Sequence, residues 1–255
     1  MTDNEKRNAL RKYFAKPPGF AWLLLGVGVL VVLAGLAGGG GTYILLGILM
    51  AAGGGALIYN SMGTRPSDAQ VDQWLEEDIQ ALIPKALSKC GLTEDELIGD
   101  PLAIRGPIYW EVTGVNEADL VFRKGEDGLA RFGVYDVSII FLTDQRLTAY
   151  KCYFNFLKNV ALNESTTEYF YQDVVSVSTR EISTSYTLPD NKKLVSAQAF
   201  AVQVPSGDAI SVVVSAAKLE ELTGARLPST GAEKAVEVIR TMLRSKKGVT
   251  RLAQE

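Results

Sequence analysis

Histidine is absent from the chain, and cysteine occurs only at positions 90 and 152. Without histidine the protein lacks the side chain most used for acid–base work near neutral pH, for activating a serine or cysteine, and for binding zinc or copper. Cys90 and Cys152 stand in separate segments with no metal-ligand spacing, and they read as two buried thiols in a reducing compartment. Charge is missing over a long stretch as well. Between Lys16 and Arg65 there is no Asp, Glu, Lys or Arg. Such a stretch cannot make an ordinary water-facing surface, and its scarcity of polar residues argues against an aqueous ion pathway.

What fills that stretch is two apolar runs. Phe20 to Ala37 holds 18 uncharged residues, which as a helix cover about 27 Å, close to the hydrocarbon thickness of a bilayer. Tyr43 to Tyr59 repeats the pattern, with a tyrosine at each end where an aromatic ring suits the headgroup level. Gly38-Gly39-Gly40-Gly41-Thr42 between them suits only a short turn, so the spans (20–37 and 43–59, within 20–62) form an antiparallel hairpin. A cleaved signal peptide fits poorly, because a second span follows the first directly. Residues 1–63 carry a net charge of +3 and the remainder −6. Lys6, Arg7, Arg11, Lys12 and Lys16 all precede the first span and the turn has no charge, so both termini are expected on the cytoplasmic side of the inner membrane.

The spans also carry small residues at regular spacing. Gly35 and Gly39 make a GxxxG, and Gly47, Ala51 and Gly55 repeat every four positions, a pattern that lets helix backbones approach in lipid. It serves packing within one hairpin or association between copies, and a homo-oligomer is expected. In the N-terminal tail (1–19), Leu10, Tyr13 and Phe14 share one helical face with Lys6, Arg7, Arg11 and Lys12 around them, before Pro17-Pro18. This short basic amphipathic segment is fit to lie on an anionic leaflet.

A helical linker (63–103) follows. Arg65-Pro66-Ser67-Asp68 ends the anchor and offers a helix cap. Val71, Trp74, Leu75, Ile79, Leu82 and Ile83 recur at helical spacing, and Glu76, Glu77 and Asp78 are expected as a solvated acidic face. Pro84 is expected to interrupt this helix and Gly91 to end a further turn, after which Thr93-Glu94-Asp95-Glu96 reads as a capping box. From Ile104 the pattern turns strand-like, over Pro107–Thr113, Ala118–Arg123, Leu129–Leu142, Leu147–Phe154, Thr167–Glu181, Leu194–Val204 and Ala209–Ser215. Turn signals fall at 124–128, 143–146, 188–191 and 205–208, and Asn155–Thr166 reads as a longer connection. A final helix, capped by Ser229-Thr230, presents Ala232, Ala235, Val236, Ile239, Met242 and Leu243 as an apolar stripe, before a tail at 248–255. The fold class is α+β: a transmembrane hairpin, a helical linker, and an antiparallel β-barrel or sandwich capped by a C-terminal helix.

Three features of the β region resemble the bacterial pleckstrin-homology-like (PH-like) domains. Ile139-Ile140-Phe141-Leu142-Thr143-Asp144-Gln145-Arg146-Leu147 is similar to that family's apolar strand and Leu-Thr-(Asp/Asn)-x-Arg-Leu turn. Tyr171-Gln172-Asp173-Val174-Val175-Ser176-Val177 resembles its aromatic–x–Asp strand, and Ser206-Gly207-Asp208 its Ser-Gly hairpin. The resemblance covers 104–247 and implies a seven-strand barrel plugged at one end by the helix, in a family where paired transmembrane spans are familiar. It gives Thr143, Asp144, Arg146, Asp173 and Gly207 structural roles, with Asp173 satisfying backbone donors or pairing with Arg146. The acidic balance of the domain argues against a pocket for anionic lipid headgroups. Its expected partners are therefore the bilayer and a protein, peptide or further copy, with no nucleic acid and no cofactor. The leading expectation is a membrane-tethered interaction or scaffold module and not an enzyme. An oligomeric pore-forming or bilayer-remodelling protein is the alternative.

Overall fold

The computed structural model describes residues 1–16, 19–62, 65–189, 191, 193–205 and 209–252. The chain divides into two compact units, Met1–Ser67 and Asp68–Glu255.

In the first unit, α1 (Asp3–Phe14) starts with a reciprocal capping box between Thr2 and Glu5. Helix α2 (Gly19–Ala34) runs into one widened turn at Gly35–Gly39, and α3 (Gly41–Met62) returns. The apolar stretches Gly19–Gly38 and Gly41–Asn60 are each long and apolar enough to cross a membrane. The reversal is tighter than the expected five residues, because Gly38 and Gly40 take φ of +125° and +84°, conformations a side chain would disfavour. At the other end Arg65 donates to the Ala15 carbonyl at 2.5 Å, tying the exit of the hairpin to its entrance. Its exposure is inverted relative to a soluble helix pair. Trp22, Leu23, Leu30, Leu33, Leu36, Leu45, Leu46, Ile48 and Leu49 point outward, while Ala21 is fully buried.

In the second unit α4 (Asp68–Lys89) continues through Pro84, contrary to the expected break. A proline removes one backbone donor and strains the preceding turn, and tertiary packing outweighs that here: Leu82 before it and Ala86 and Leu87 after it are all buried. The helix ends where Leu92 N–H donates to the Leu87 carbonyl around a left-handed Gly91. The capping box at Thr93–Glu96 is present, on a single 3₁₀ turn. Asp78 does not join the solvated acidic face expected of it; it falls on the buried stripe with Val71, Trp74, Leu75 and Ile79, while Glu76 and Glu77 are exposed.

Among the described residues nine strands follow: β1 (Leu102–Ile108), β2 (Phe122–Lys124), β3 (Ala130–Phe132), β4 (Val134–Leu142), β5 (Arg146–Asn155), β6 (Val160–Phe170), β7 (Ser176–Thr187), β8 (Lys193–Gln203) and β9 (Ala209–Ser215). They make antiparallel sheets β1-β4-β5-β6 and β7-β8-β9, with β2-β3 as a separate hairpin, and among the described residues the expected barrel does not close. Five expected segments are redrawn. Pro107–Thr113 joins β1 only at Pro107 and Ile108, and Ala118–Arg123 joins β2 only at Phe122 and Arg123, after a 3₁₀ turn at Glu117–Asp119. Leu129–Leu142 is two strands, divided at Gly133, whose amide turns to the Val121 carbonyl at 2.8 Å. Thr167–Glu181 is also two, divided by the turn after Phe170. Most of the Asn155–Thr166 connection belongs to β6, whose polar sequence is that of an edge strand exposed on both faces.

All nine residues of β4 are buried, so both faces of its sheet are covered there, as in other doubly packed strands. Helix α4 packs on β4 and β5. On the inner face Ile104, Ile140, Leu147, Phe200 and Val212 meet Ala235, Val236 and Ile239 of α6 (Ala232–Leu252). Each such side chain contributes about 1.5–3 kcal/mol through burial. Helix α6 extends past Lys247 to Leu252, and its first turn is capped by Thr230, whose hydroxyl accepts from Ala232 N–H. The short α5 (Ala217–Thr223) lies between β9 and α6 in sequence.

Candidate functional site

Close packing in the hairpin follows a stripe that sequence spacing only partly located. A Cβ on Gly28 would lie 2.5 Å from the Ala51 amide and one on Gly47 would lie 2.6 Å from the Val32 amide. One on Gly54 would stand 2.7 Å from the Ala21 carbonyl, and one on Gly35 2.7 Å from Ile44. Ala21, Gly28 and Gly35 are spaced by seven, as are Gly47 and Gly54, the repeat of a left-handed helix pair. Of the expected residues, Gly35 and Gly47 lie on this stripe and Ala51 faces Gly28. Gly55 lies one position off it, with only the Leu25 side chain at 3.7 Å, and Gly39 lies in the turn. Four-residue spacing pointed to Gly55; the seven-residue spacing of Gly47 and Gly54 was the available signal.

In α1, Lys6, Arg7, Leu10, Tyr13 and Phe14 have low exposure, and Arg11 and Lys12 are exposed. Arg7 is held by Asp3 at 2.8 Å. Pro17-Pro18 lie outside the described residues.

Thr143, Asp144 and Arg146 lie at the turn between β4 and β5. The Thr143 hydroxyl accepts from the amides of Gln145 and Arg146, and the Tyr171 hydroxyl donates to the Thr143 carbonyl at 2.7 Å. Asp144 pairs with Lys246 at 2.9 Å. Arg146 pairs with Glu168 on β6 at 3.4 Å and not with Asp173, because Glu168 is its close cross-strand neighbour. Asp173 sits in the turn between β6 and β7, its amide donating to Phe170. Gly207, with Ser206 and Asp208, lies outside the described residues.

Three polar clusters went unseen in the sequence. Arg131, only 3% exposed, reaches Asp72 at 2.6 Å and Asp127 at 2.7 Å, with Asp68 at 3.9 Å. It joins the first turns of α4 to the β2–β3 hairpin. The guanidinium holds the Asp127 carboxyl down to about 2. Glu164 on β6 accepts from the Tyr150 hydroxyl at 2.6 Å and pairs with Lys85 and Lys89 of α4 at 2.9 and 3.3 Å. The tyrosine hydrogen bond and then the lysines bring Glu164 down to about 2. Inside the sheets, Asp136 pairs with Lys151 at 3.2 Å, and Lys151 also donates to the Ser211 carbonyl of β9 at 2.5 Å. Burial raises Asp136 to about 6, with Lys151 opposing it. Asp136 Oδ1 and Ser138 Oγ, on the same face of β4, have no hydrogen-bond partner among the described residues. Cys90 and Cys152 are pushed up by burial to about 11 and about 12, so neither is poised as a thiolate nucleophile.

These clusters fasten element to element: α4 to a hairpin, α4 to an edge strand, and sheet to sheet. Among the described residues no group of three His, Cys, Asp or Glu could hold a metal ion. Strands β6 and β7 each end a sheet and are 11 and 12 residues long. Neither contains a proline or a lysine, the residues that commonly block edge pairing. The molecule is thus an α+β protein with two helices apolar enough to span a membrane. Comparison with known family models, characterised proteins and solved structures gave no match.

Proposed function

We propose that this protein is a membrane-anchored interaction module. The hairpin α2–α3 inserts in the inner membrane with both termini cytoplasmic, and the β domain recruits a protein partner or further copies to that surface. The observation that carries the anchor is the inverted exposure of the hairpin. Its small residues are spent on helix-to-helix contact, and its leucines, isoleucines and Trp22 face outward, an arrangement stable only where the surroundings are hydrocarbon.

A four-stranded and a three-stranded antiparallel sheet followed by a C-terminal helix support reading the domain as a PH-like module. The separate β2–β3 hairpin is then an insertion after the first strand. The interaction reading rests on the contrast between its polar groups, engaged in ion pairs between elements, and its two long open edges. The outward faces of the spans offer no polar lining, which weighs against a pore.

Topology is tested with Asp3→Cys and Thr250→Cys variants in a background where Cys90 and Cys152 are serine. A membrane-impermeant thiol reagent should label neither in intact cells and both after permeabilisation. Labelling of either in intact cells contradicts the topology, and release of the protein by alkaline carbonate contradicts the anchor.

A further inference from the structure

The outer edge of β7 is flanked by α6. Arg240 donates two hydrogen bonds to the Val177 carbonyl, at 3.3 and 3.1 Å, and Lys247 donates to the Val174 carbonyl at 2.6 Å. Next to these contacts lies a groove of about 440 Å³, lined by Thr179 of β7 and by Glu233, Val236, Glu237, Arg240 and Arg244 of α6. That volume is in the range of ligand clefts.

Backbone direction makes this groove a hydrogen-bonding one. Val177 turns its carbonyl toward α6, and alternate residues of a strand address the same side. Thr179, which lines the groove, therefore presents its amide and carbonyl outward, and Glu181 and Ser183 continue that outward row along the strand edge. Among the described residues, no backbone group of residues 178–186 bonds outside the β7–β8 ladder. An edge of this length with no lysine, proline or covering strand is a template for another strand. Because α6 stands alongside, the space takes one extended segment and not the sheet of a second copy.

Charge selects the direction and composition of that segment. Helix α6 runs antiparallel to β7, since its later residue Lys247 meets Val174 and its earlier residue Arg240 meets Val177. The start of β7 is thus bordered by Arg240 and Arg244, and its continuation by Glu237 and Glu233, with Glu181 on β7 itself. A strand pairing antiparallel places its C-terminal part beside the arginines and its N-terminal part beside the glutamates. We propose that the β7–α6 groove binds an extended protein segment as an added antiparallel strand, basic toward its N-terminal end and acidic toward its C-terminal end. This deepens the interaction-module reading and rests on it.

The test uses the full-length protein in detergent and two fluorescent peptides of about ten residues, the span of one long strand. Both alternate threonine and valine. One carries lysines at its N-terminal end and glutamates at its C-terminal end, and the other has these ends exchanged. The first should bind about tenfold more tightly or better, and hydrogen exchange at the amides of Thr179, Glu181 and Ser183 should slow when it is bound. Thr179→Lys should abolish the slowing, and so should Ser183→Pro, which removes an outward amide without touching the ladder. The double variant Arg240→Glu/Arg244→Glu should narrow or reverse the preference between peptides. Equal affinity for the two peptides, or unchanged exchange along β7 with either, overturns the groove. A partner recovered on another face, with β7 amides unaffected, leaves the module reading standing and removes this site. Failure of the domain to recruit any protein removes both.

Discussion

The hairpin and the β domain solve the packing problem with opposite residues. In the hairpin the closest contacts are made by Ala21, Gly28, Gly47 and Gly54, and the bulky side chains face away. In the domain Ile104, Phe141, Phe154 and Phe200 are fully buried, and alanines such as Ala149, Ala199 and Ala235 fill in beside bulky side chains. On the proposed anchoring of the hairpin, the difference is one of solvent. In water, apolar burial itself drives association. In lipid a leucine gains little by leaving the acyl chains for another helix, so only close backbone approach and dispersion contacts distinguish bound from apart. Polar groups divide in the same way. The spans have no charged residue, whereas the domain uses ion pairs such as Arg131 with Asp72 to set one element against another.

Four substitutions and one control would break or sharpen this comparison. The largest effect is expected from Arg131→Met. It removes the guanidinium from Asp68, Asp72 and Asp127. Because Asp72 and Asp127 are half exposed and water can take its place, the cost should be about 2–3 kcal/mol in chemical denaturation of the domain. A loss below about 1 kcal/mol would make the cluster an ordinary surface pairing. Next is Gly54→Leu, which drives a side chain into the Ala21 carbonyl and Leu25 backbone and should cost the hairpin about 1–3 kcal/mol. Gly55→Leu, one position off the stripe, is its control and should melt in detergent with the parent. Equal effects at 54 and 55 would remove the seven-residue stripe as the packing surface.

Asp136 gives a pH signature. Its pKa in the folded state is raised from 3.8 to about 6. Its contribution to stability is therefore fully present below about pH 4 and is lost as pH rises through 6. Relative to Asp136→Asn, the parent should lose stability on the order of 2–3 kcal/mol between pH 4 and 7. A pH-independent difference between the two would place the carboxylate in a well-solvated site. The smallest effect is at Glu164, whose pKa is lowered from 4.5 to about 2. Its stabilisation is present above about 4.5 and is lost as pH falls toward 2. Glu164→Gln should cost about 1 kcal/mol at neutral pH, and that difference should vanish in acid. A cost that persists at pH 2 would mean packing, not charge, is responsible.

Much of the fold could be read directly. Spans expected at 20–37 and 43–59 match apolar stretches at Gly19–Gly38 and Gly41–Asn60, because twenty uncharged residues leave little choice of environment. The turns at 124–128 and 143–146 and the C-terminal helix also fall where their residues demand. Most of strand β6, up to Thr166, was legible only as a connection, since an edge strand exposed on both faces has neither the alternation nor the apolar content that marks a strand. Pro84 was expected to end a helix that continues through it. Of the candidate site residues, Gly35, Gly47 and Ala51 came together in the hairpin and Thr143 organised its turn, while Gly55 stood aside and Arg146 found Glu168.

By itself the amino-acid sequence determined which stretches suit hydrocarbon, where the chain turns tightly, and which helical faces are apolar. Each of those depends on residues within a few positions of one another. Only the tertiary structure decided that Arg131 meets Asp72 and Asp127, that Lys151 reaches β9, that Gly54 is inside and Gly55 is not, and that α6 stands beside the open edge of β7. Those outcomes depend on elements far apart in the chain, set by register and side-chain volume, and local spacing carries no record of them.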